Sequence, residues 1–363
     1  MNSGTIEPRI SLALSGGGVR AMVFHLGVLN AMAEYRLLEQ VDRISTVSGG
    51  SLLAGLILHE NGMQWPSSDE FIQSIYPALR EKLCEGSLQW SAARQLLNPI
   101  NWRYLFSRAN LLALALQSQW GVCSRLADLP ISPEWSINGT TAENGKRFRF
   151  KRESLGDYDL GYAEPGDFPL ATALAVSAAF PAGFGPLSLP TSGYVWKKRP
   201  RWGASKTDER EVKLAYKRLH LYDGGIYDNL GLEPFFDPGR IHAKPGVGYI
   251  VVSDAGAPLA PGFSNGPLNP FRLIRVADIM SDQSRALRIR TFATYVQEHQ
   301  DNGAYIGITT PLSDVGGCPS RDFASSYPTT LKRVKHDQFD KIAAHGAGVT
   351  RKVRRDFGLV AAR

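Results

Sequence analysis

Residues 10–20 read ISLALSGGGVR, and the prediction of the fold begins from this stretch. Ile10–Leu14 is a short apolar segment typical of a buried strand, and it stops at Ser15 followed by three glycines. From Met22 to Leu38 the apolar residues recur at helical spacing. The pattern therefore predicts a strand, a glycine turn and a helix.

The next residues along the chain repeat this order of strand, turn and helix. Ile44–Val47 predicts a second short strand, which ends in Ser48-Gly49-Gly50, and Leu52–His59 predicts a second helix. Two strand–turn–helix units in succession favour an α/β fold with a mainly parallel central sheet and helices on both faces.

The remainder of the chain adds further predicted elements to this core. A hairpin turn is predicted at Asn144-Gly145, a helix over Leu170–Ala179, strands over Leu219–Tyr222 and Gly248–Ser253, a helix over Arg272–Gln300, and a helix pair over Leu331–Arg363 broken by Gly346 and Gly348. We predict one α/β domain over residues 1–363 with two insertions. The first, at about 60–135, is mostly helical, contains several tryptophans and suits a lid; the second, at about 191–218, is basic.

Charge and composition limit the kinds of partner. The net charge is +7 and the isoelectric point about 9.3, which favours membrane surfaces, nucleotides or nucleic acid. The three cysteines form no disulfide or zinc pattern, Met1–Arg9 lacks the apolar core of a signal peptide, and no stretch approaches the length of a bilayer span. We expect a cytoplasmic protein that is peripheral at the membrane.

The glycine turn allows two functional interpretations and one structural one. Gly16, Gly17 and Gly18 expose consecutive backbone N–H groups at a helix N-terminus, where they favour negative charge. They fit an oxyanion hole, a phosphate cradle or simply a tight turn. A P-loop lacks its Gly-Lys-Ser/Thr continuation, and Ala21 weakens the dinucleotide-binding pattern.

Two further positions suit catalysis. Ser48 lies at a strand-to-helix junction, where a nucleophile elbow belongs, although a helix N-cap serine is the simpler alternative. Asp223 follows a predicted strand and precedes Gly224 and Gly225, so its carboxylate can approach another side chain closely; the alternative is an ordinary Asp-Gly turn.

In this order the motifs resemble those of the patatin-like phospholipases. That family has Gly-Gly-Gly-x-Arg/Lys-Gly, then Gly-x-Ser-x-Gly, then Asp-Gly-Gly/Ala. A fourth match is Ala175-Val176-Ser177-Ala178-Ala179-Phe180-Pro181 with Phe184 and Pro186, which is similar to the family's segment beside the site. The resemblance extends from about Ile10 to Asp254. The chain departs from the pattern at Thr46 and Ala21, where the family has glycine.

The resemblance implies a three-layer α/β/α fold and a serine lipid-acyl hydrolase of the phospholipase A type. It assigns Ser48 as nucleophile, Asp223 as base without histidine, and the N–H groups of Gly16, Gly17 and Gly18 as oxyanion hole. Supporting residues are Arg20, Gly50 and Gly225; Arg20 either supports the loop, steers an anionic headgroup or is solvated. His25, the histidine closest in sequence, is expected to be packed or solvent-facing. No metal or other cofactor is expected.

The basic insertion leaves several partners open. Between Trp196 and Arg218 it combines two tryptophans with nine lysines and arginines, which suits a phospholipid membrane surface, stacking on a nucleotide or a solvated loop. Some bacterial patatin-like proteins are anti-phage effectors switched on by cyclic oligonucleotides, so such an activator is a further hypothesis, as is a homo-oligomer. No nucleic-acid-binding module is recognisable. The alternative to an enzyme is a catalytically weak patatin fold that binds an anionic ligand or membrane.

Overall fold

A computed structural model describes residues 9–105, 107–180, 185–201, 204–259, 261–263, 271–312 and 321–359. The strands are β1 Ile10–Leu14, β2 Val41–Thr46, β3 Glu134–Thr141, β4 Arg147–Phe150, β5 Leu155–Asp157, β6 Gly161–Ala163, β7 Leu187–Pro190, β8 Lys197–Lys198, β9 Arg210–Glu211, β10 Arg218–Asp223, β11 Phe236–Asp237, β12 His242–Ala243, β13 Tyr249–Asp254 and β14 Gly303–Gly307. The helices are α1 Gly18–Glu34, α2 Gly49–Glu60, α3 Ser68–Glu70, α4 Tyr76–Glu85, α5 Leu88–Arg94, α6 Arg108–Trp120, α7 Leu170–Ser177, α8 Gly225–Asp228, α9 Phe271–Glu298, α10 Arg321–Ser326 and α11 His336–Phe357.

The centre of the molecule is a mixed sheet in which the neighbours β14-β13-β1-β2-β3 are parallel. Successive side chains of each strand point to opposite faces. Leu12 and Leu14 join the larger core, whereas Ala13 packs on the other side with Phe292 and Tyr295 of α9. The sheet is therefore covered on both faces, and the predicted three-layer α/β/α fold is confirmed.

The parallel order gathers three strand ends at one edge of the sheet. β1 ends before Ser15, β2 ends before Val47 and Ser48, and β13 ends at Asp254. Because parallel strands share the direction of their carboxyl ends, the glycine turn and Ser48 lie side by side at this edge, where ligands of α/β sheets usually bind.

Asp223 reaches the same edge from the opposite direction. Thr46 of β2 pairs with Ile137 of parallel strand β3, so Gly139 lies at the level of Ser48. Gly139 in turn pairs with Asp223 at the end of antiparallel strand β10. The change of strand direction brings together two residues that are far apart in the sequence.

Several local predictions are confirmed. The strand over Ile10–Leu14 has the predicted bounds, and β3 and β4 form the antiparallel hairpin expected around Gly145, whose φ is 67°. Helices follow each of the first two strands, and α7 occupies most of the predicted helix. Residues 68–120 are mostly helical, but the division of the chain into one domain with two insertions stays a prediction.

The predicted helix pair near the C-terminus is wrong. α11 is one continuous helix that passes through Gly346 and Gly348. A Cβ on Gly346 would overlap the carbonyl oxygen of Phe24, and a Cβ on Gly27 would overlap that of Ala343. These glycines permit close packing of α1 against α11, and the packing outweighs their low helix propensity.

In the part of the chain that the structure describes, no helix combines the length and the apolar character required to cross a bilayer.

We expect Gly27→Ala to destabilise the protein by about 1–3 kcal/mol, the usual cost of overpacking, despite the better helix propensity of alanine. The added methyl group meets backbone, which cannot change rotamer. Urea unfolding at equilibrium measures the change. Gly193→Ala is the matched control, because a Cβ there meets no atom within 4 Å. Equal stability of the two variants would contradict this account of the helix contact.

Candidate active site

Ser48 occupies a sharp turn between β2 and α2. Its φ of 51° and ψ of −119° are unusual for a residue with a side chain, and the residue is half-buried. The turn closes because the next residues lack side chains: a Cβ on Gly49 would overlap the carbonyl oxygen of Gly18, and one on Gly50 would lie 2.5 Å from the oxygen of Leu14. The geometry is that of a nucleophile elbow.

Ser177 holds this turn from the adjacent helix α7. The Ser48 N–H approaches both the carbonyl oxygen and Oγ of Ser177, at 3.1 and 3.0 Å. Ser177 Oγ donates to the carbonyl oxygen of Asn138 at 2.7 Å and lies 2.8 Å from Ser51 Oγ. The hydroxyl is fully buried, so these contacts satisfy it and fix the backbone of Ser48.

The two departures from the family pattern fit the packing. Thr46 is buried, and its Oγ1 accepts from Trp135 Nε1 at 2.9 Å and lies 2.7 Å from Ser51 Oγ. It thereby extends the hydrogen-bonded group that contains Ser177. The small side chain of Ala21 lies beside the turns, because Cβ atoms built on Gly17 and Gly49 would approach its methyl group to 3.2 and 3.1 Å.

Asp223 is the buried acid of the site, with only 4% of its surface exposed. The Gly225 N–H donates to its Oδ1 at 2.7 Å, and the Ser48 side chain lies near enough to lower the pKa of the carboxyl group. Burial raises the pKa of Asp223 to about 7, while the contacts with Gly225 and Ser48 act in the opposite direction. Its backbone is fixed as well, since Thr140 Oγ1 donates to its carbonyl oxygen at 2.8 Å.

The glycine loop lies against Ser48, but its first N–H group is already hydrogen-bonded to another residue. Gly16 N–H donates to the carbonyl oxygen of Asn229 at 3.1 Å, so this group is already paired, and its role as an oxyanion donor stays a prediction. Within the described ranges no hydrogen bond involves the N–H groups of Gly17 or Gly18, whose φ values are 144° and 62°. A Cβ on Gly16 would lie 3.1 Å from that of Ser48, so the loop adjoins the serine directly.

Arg20 supports this loop. It is 3% exposed, and it donates to the carbonyl oxygens of Ala255 at 3.1 Å and Tyr327 at 2.7 Å. Both the solvated and the headgroup-steering alternatives are thereby disfavoured. His25 is fully buried between Ser253 Oγ and the Ser15 carbonyl oxygen, at 2.7 and 3.0 Å, and burial lowers its pKa to about 4. It is a packed, neutral residue.

Sequence reasoning missed several supporting groups. The carbonyl oxygen of Asn229, six residues after Asp223, accepts the Gly16 N–H. The sequence signal for a supporting role of Asn229 was its position just after Asp223-Gly224-Gly225 at a strand end. Asp254 is fully buried and accepts from Arg285 Nη2 at 2.9 Å and Tyr305 Oη at 2.6 Å, directly before the residue that binds Arg20. Asp254 could have been recognised as a carboxylate at a strand end, but its partners lie too far along the chain.

Other predicted features lie elsewhere or outside the described residues. Trp196 of the basic insertion is 3% exposed, with Nε1 donating to the Thr191 carbonyl oxygen at 3.1 Å, so it is a core residue. Trp202, Pro181 and Phe184 lie outside the described residues. Among the side chains that the structure describes, no three His, Cys, Asp or Glu residues gather as they would around a metal ion.

The chain is similar to known proteins both in its sequence family and in its fold. Residues 12–236 match the family described as patatin-like phospholipase. No curated protein sequence matches the chain. Human GIVD cytosolic phospholipase A2 has a similar structure, with a TM-score of 0.57 and 15% identity over 97% of this chain and 60% of that one. The same human enzyme in complex with methyl gamma-linolenyl fluorophosphonate gives a TM-score of 0.53 and 16% identity, over 97% of this chain and 58% of that one.

These human structures show the fold alone, and this chain spans less than two thirds of their length. The family match covers most of the chain and includes the glycine loop, Ser48, Ser177 and Asp223. The chain belongs to the patatin-like phospholipase family.

Proposed function

We propose that the chain hydrolyses fatty-acyl esters of membrane phospholipids through a Ser48–Asp223 dyad. The observation that carries this proposal is the buried carboxyl group of Asp223, which lies near a serine in a strained turn whose side chain lowers the pKa of that carboxyl. Removing a carboxylate from water is unfavourable, and a binding module has no need to bury one against a strained serine. The buried pair therefore favours the enzyme over a catalytically weak binding protein.

In the acylation step, the Asp223 carboxylate accepts the proton of the Ser48 hydroxyl while Oγ attacks the ester carbonyl carbon. The N–H groups of Gly17 and Gly18 donate to the resulting oxyanion, which is the largest single contribution in many acyl transfers. The tetrahedral intermediate collapses as Asp223 returns the proton to the departing alcohol, leaving an acyl group on Ser48.

In the deacylation step, Asp223 accepts a proton from water, which attacks the acyl carbon. The oxyanion forms in the same position, and collapse releases the fatty acid as the proton returns to Ser48 Oγ. No charged group other than Asp223 is required for either proton transfer. A carboxylate with a pKa near 7 suits both its base and its acid role.

Family membership supports a lipid substrate, whereas gating has weaker support. Activation by a cyclic oligonucleotide in anti-phage defence stays a prediction from sequence. A thermal-shift panel of cyclic di- and trinucleotides tests it, and the absence of a shift with every compound would count against it.

Ser48→Ala and Asp223→Asn should each lower fatty-acid release from phospholipid vesicles by at least about a thousandfold, as loss of a dyad member does in serine hydrolases. Ser74→Ala and Asp42→Asn are matched controls; Ser74 is exposed and Asp42 lies at the opposite end of β2. Release that survives Ser48→Ala would exclude the assignment.

An alkyl fluorophosphonate offers an assay that is independent of lipid substrates. Phosphorus should bond to Ser48 Oγ as fluoride leaves, and intact-mass spectrometry would detect the adduct. Ser48→Ala should prevent it.

Activity should rise with pH through about 7, because only the deprotonated Asp223 accepts the serine proton. Below that pH, kcat/KM for a soluble ester should fall about tenfold per unit. Asp42→Asn should keep the same profile, although burial also raises the pKa of Asp42. A flat profile between pH 5 and 8 would contradict the role of Asp223.

Ser177→Ala should lower kcat by roughly ten- to a hundredfold with little change in KM, since it removes one of two acceptors of the Ser48 N–H and leaves buried partners unsatisfied. Steady-state kinetics with a soluble ester measures both constants. A ten- to hundredfold change in KM with kcat unaltered would indicate that Ser177 acts in substrate binding and does not position Ser48.

A further inference from the structure

An exposed apolar and cationic surface lies on the helical part of the chain. It consists of the outward side chains of residues 90–105, namely Trp90, Arg94, Leu97, Ile100, Trp102, Arg103 and Leu105. Trp90 is 64% and Leu97 82% exposed, whereas Leu88 and Ala92 on the opposite side of α5 are buried. Large apolar side chains grouped in this way on a surface are typical of an interaction site.

The charged residues of this surface are all positive. Between Glu85 and Asp128 the sequence contains four arginines and no acidic residue. Arg94 lines a shallow concavity together with Trp90, Ala93 and Leu97. Tryptophan and arginine on one surface suit the headgroup level of a bilayer that contains anionic lipid.

Both ends of the segment are hydrogen-bonded to stretches of chain that adjoin, in contact or in sequence, residues of the candidate site. At the start, the Gln89 N–H donates to the Leu331 carbonyl oxygen at 3.0 Å, and the preceding residue, Thr330, accepts from Val19 at the glycine loop at 2.8 Å. The first attachment therefore links the surface, through Leu331 and Thr330, to the start of α1 beside the glycine loop. At the end, Ser107 Oγ donates to the Pro186 carbonyl oxygen at 2.8 Å.

The second attachment ends at Pro186, which follows Ala179 in the sequence. Pro186 belongs to the connection that begins after Ala179, whose carbonyl oxygen accepts the Asp223 N–H at 3.1 Å. Phe180 follows Ala179 and is itself half exposed.

We propose that residues 90–105 form the surface by which the protein docks on anionic phospholipid membranes. The inference rests on the proposed function, which it deepens by naming the docking surface. The basic insertion, the candidate from sequence, is less suitable because its Trp196 is buried in the core. The charge of residues 90–105 favours anionic lipid over an apolar surface of a second copy.

The test uses the full chain with Ser48→Ala, so that binding is measured without hydrolysis. Co-sedimentation compares vesicles of phosphatidylcholine with vesicles that also contain phosphatidylglycerol. Trp90→Ala combined with Leu97→Ala should weaken binding at least about tenfold, or 1.4 kcal/mol. Arg94→Gln combined with Arg103→Gln should remove the preference for the anionic vesicles.

Met280→Ala combined with Leu287→Ala is the matched control, since both residues are exposed on α9, and it should bind as the parent does. Unchanged unfolding temperatures confirm that the variants fold. A parent that does not bind anionic vesicles, or a Trp90/Leu97 variant that binds equally well, would overturn the proposal. So would a dimer, seen by sedimentation velocity, that the Trp90/Leu97 variant abolishes. Failure of the wild type to hydrolyse any ester would count against the proposed function only.

Discussion

The burial of the Asp223 carboxyl group is the constraint on which the site depends. Desolvation raises its pKa to about 7, while the hydrogen bond from the Gly225 N–H and the nearby Ser48 side chain act in the opposite direction. A carboxyl in such surroundings needs its few partners at fixed positions, because each missing hydrogen bond would leave a buried charge less stabilised. The antiparallel entry of β10 beside β3 meets this requirement, since it places the acid at the level of the serine.

The second requirement is close approach of backbone segments. The glycine loop adjoins Ser48 only because Gly16 and Gly49 have no side chains, and the strained serine is held by its contacts with Ser177. Backbone strain of this kind persists where the surroundings over-determine it. The buried hydroxyls of Thr46 and Ser51 do so here, which explains why threonine serves where the family has glycine.

The sequence predicted what depends on local pattern. Strand β1, the hairpin at Gly145, and the placement of Ser48 and Asp223 at strand ends all follow from periodicity and turn residues. The position of Asn229 after Asp223-Gly224-Gly225 was a local signal, but its pairing with Gly16 depends on the arrangement of strands that are distant in the sequence. The local pattern predicts a helix break at Gly346, whereas the structure uses this glycine for close packing against Phe24, a residue in another helix.

The residues proposed for catalysis and the residues that hold the glycine loop lie in different parts of the chain. Ser48 and Asp223 fall within residues 12–236, which match the family, but the glycine loop is held by Ala255, Tyr327 and Thr330 beyond them. Arg20 forms two of these links, and its guanidinium is buried.

The charge of Arg20 is therefore committed to the fold and is remote from solvent. The attraction of an anionic membrane that we propose would therefore come from exposed cations outside the glycine loop. Arg94 and Arg103 are exposed, and no acidic residue precedes Asp128 in their segment. The apolar side chains beside them supply the second component of interfacial binding. In the proposed function, the groups that would attract the substrate surface are therefore separate from those that would cleave the ester.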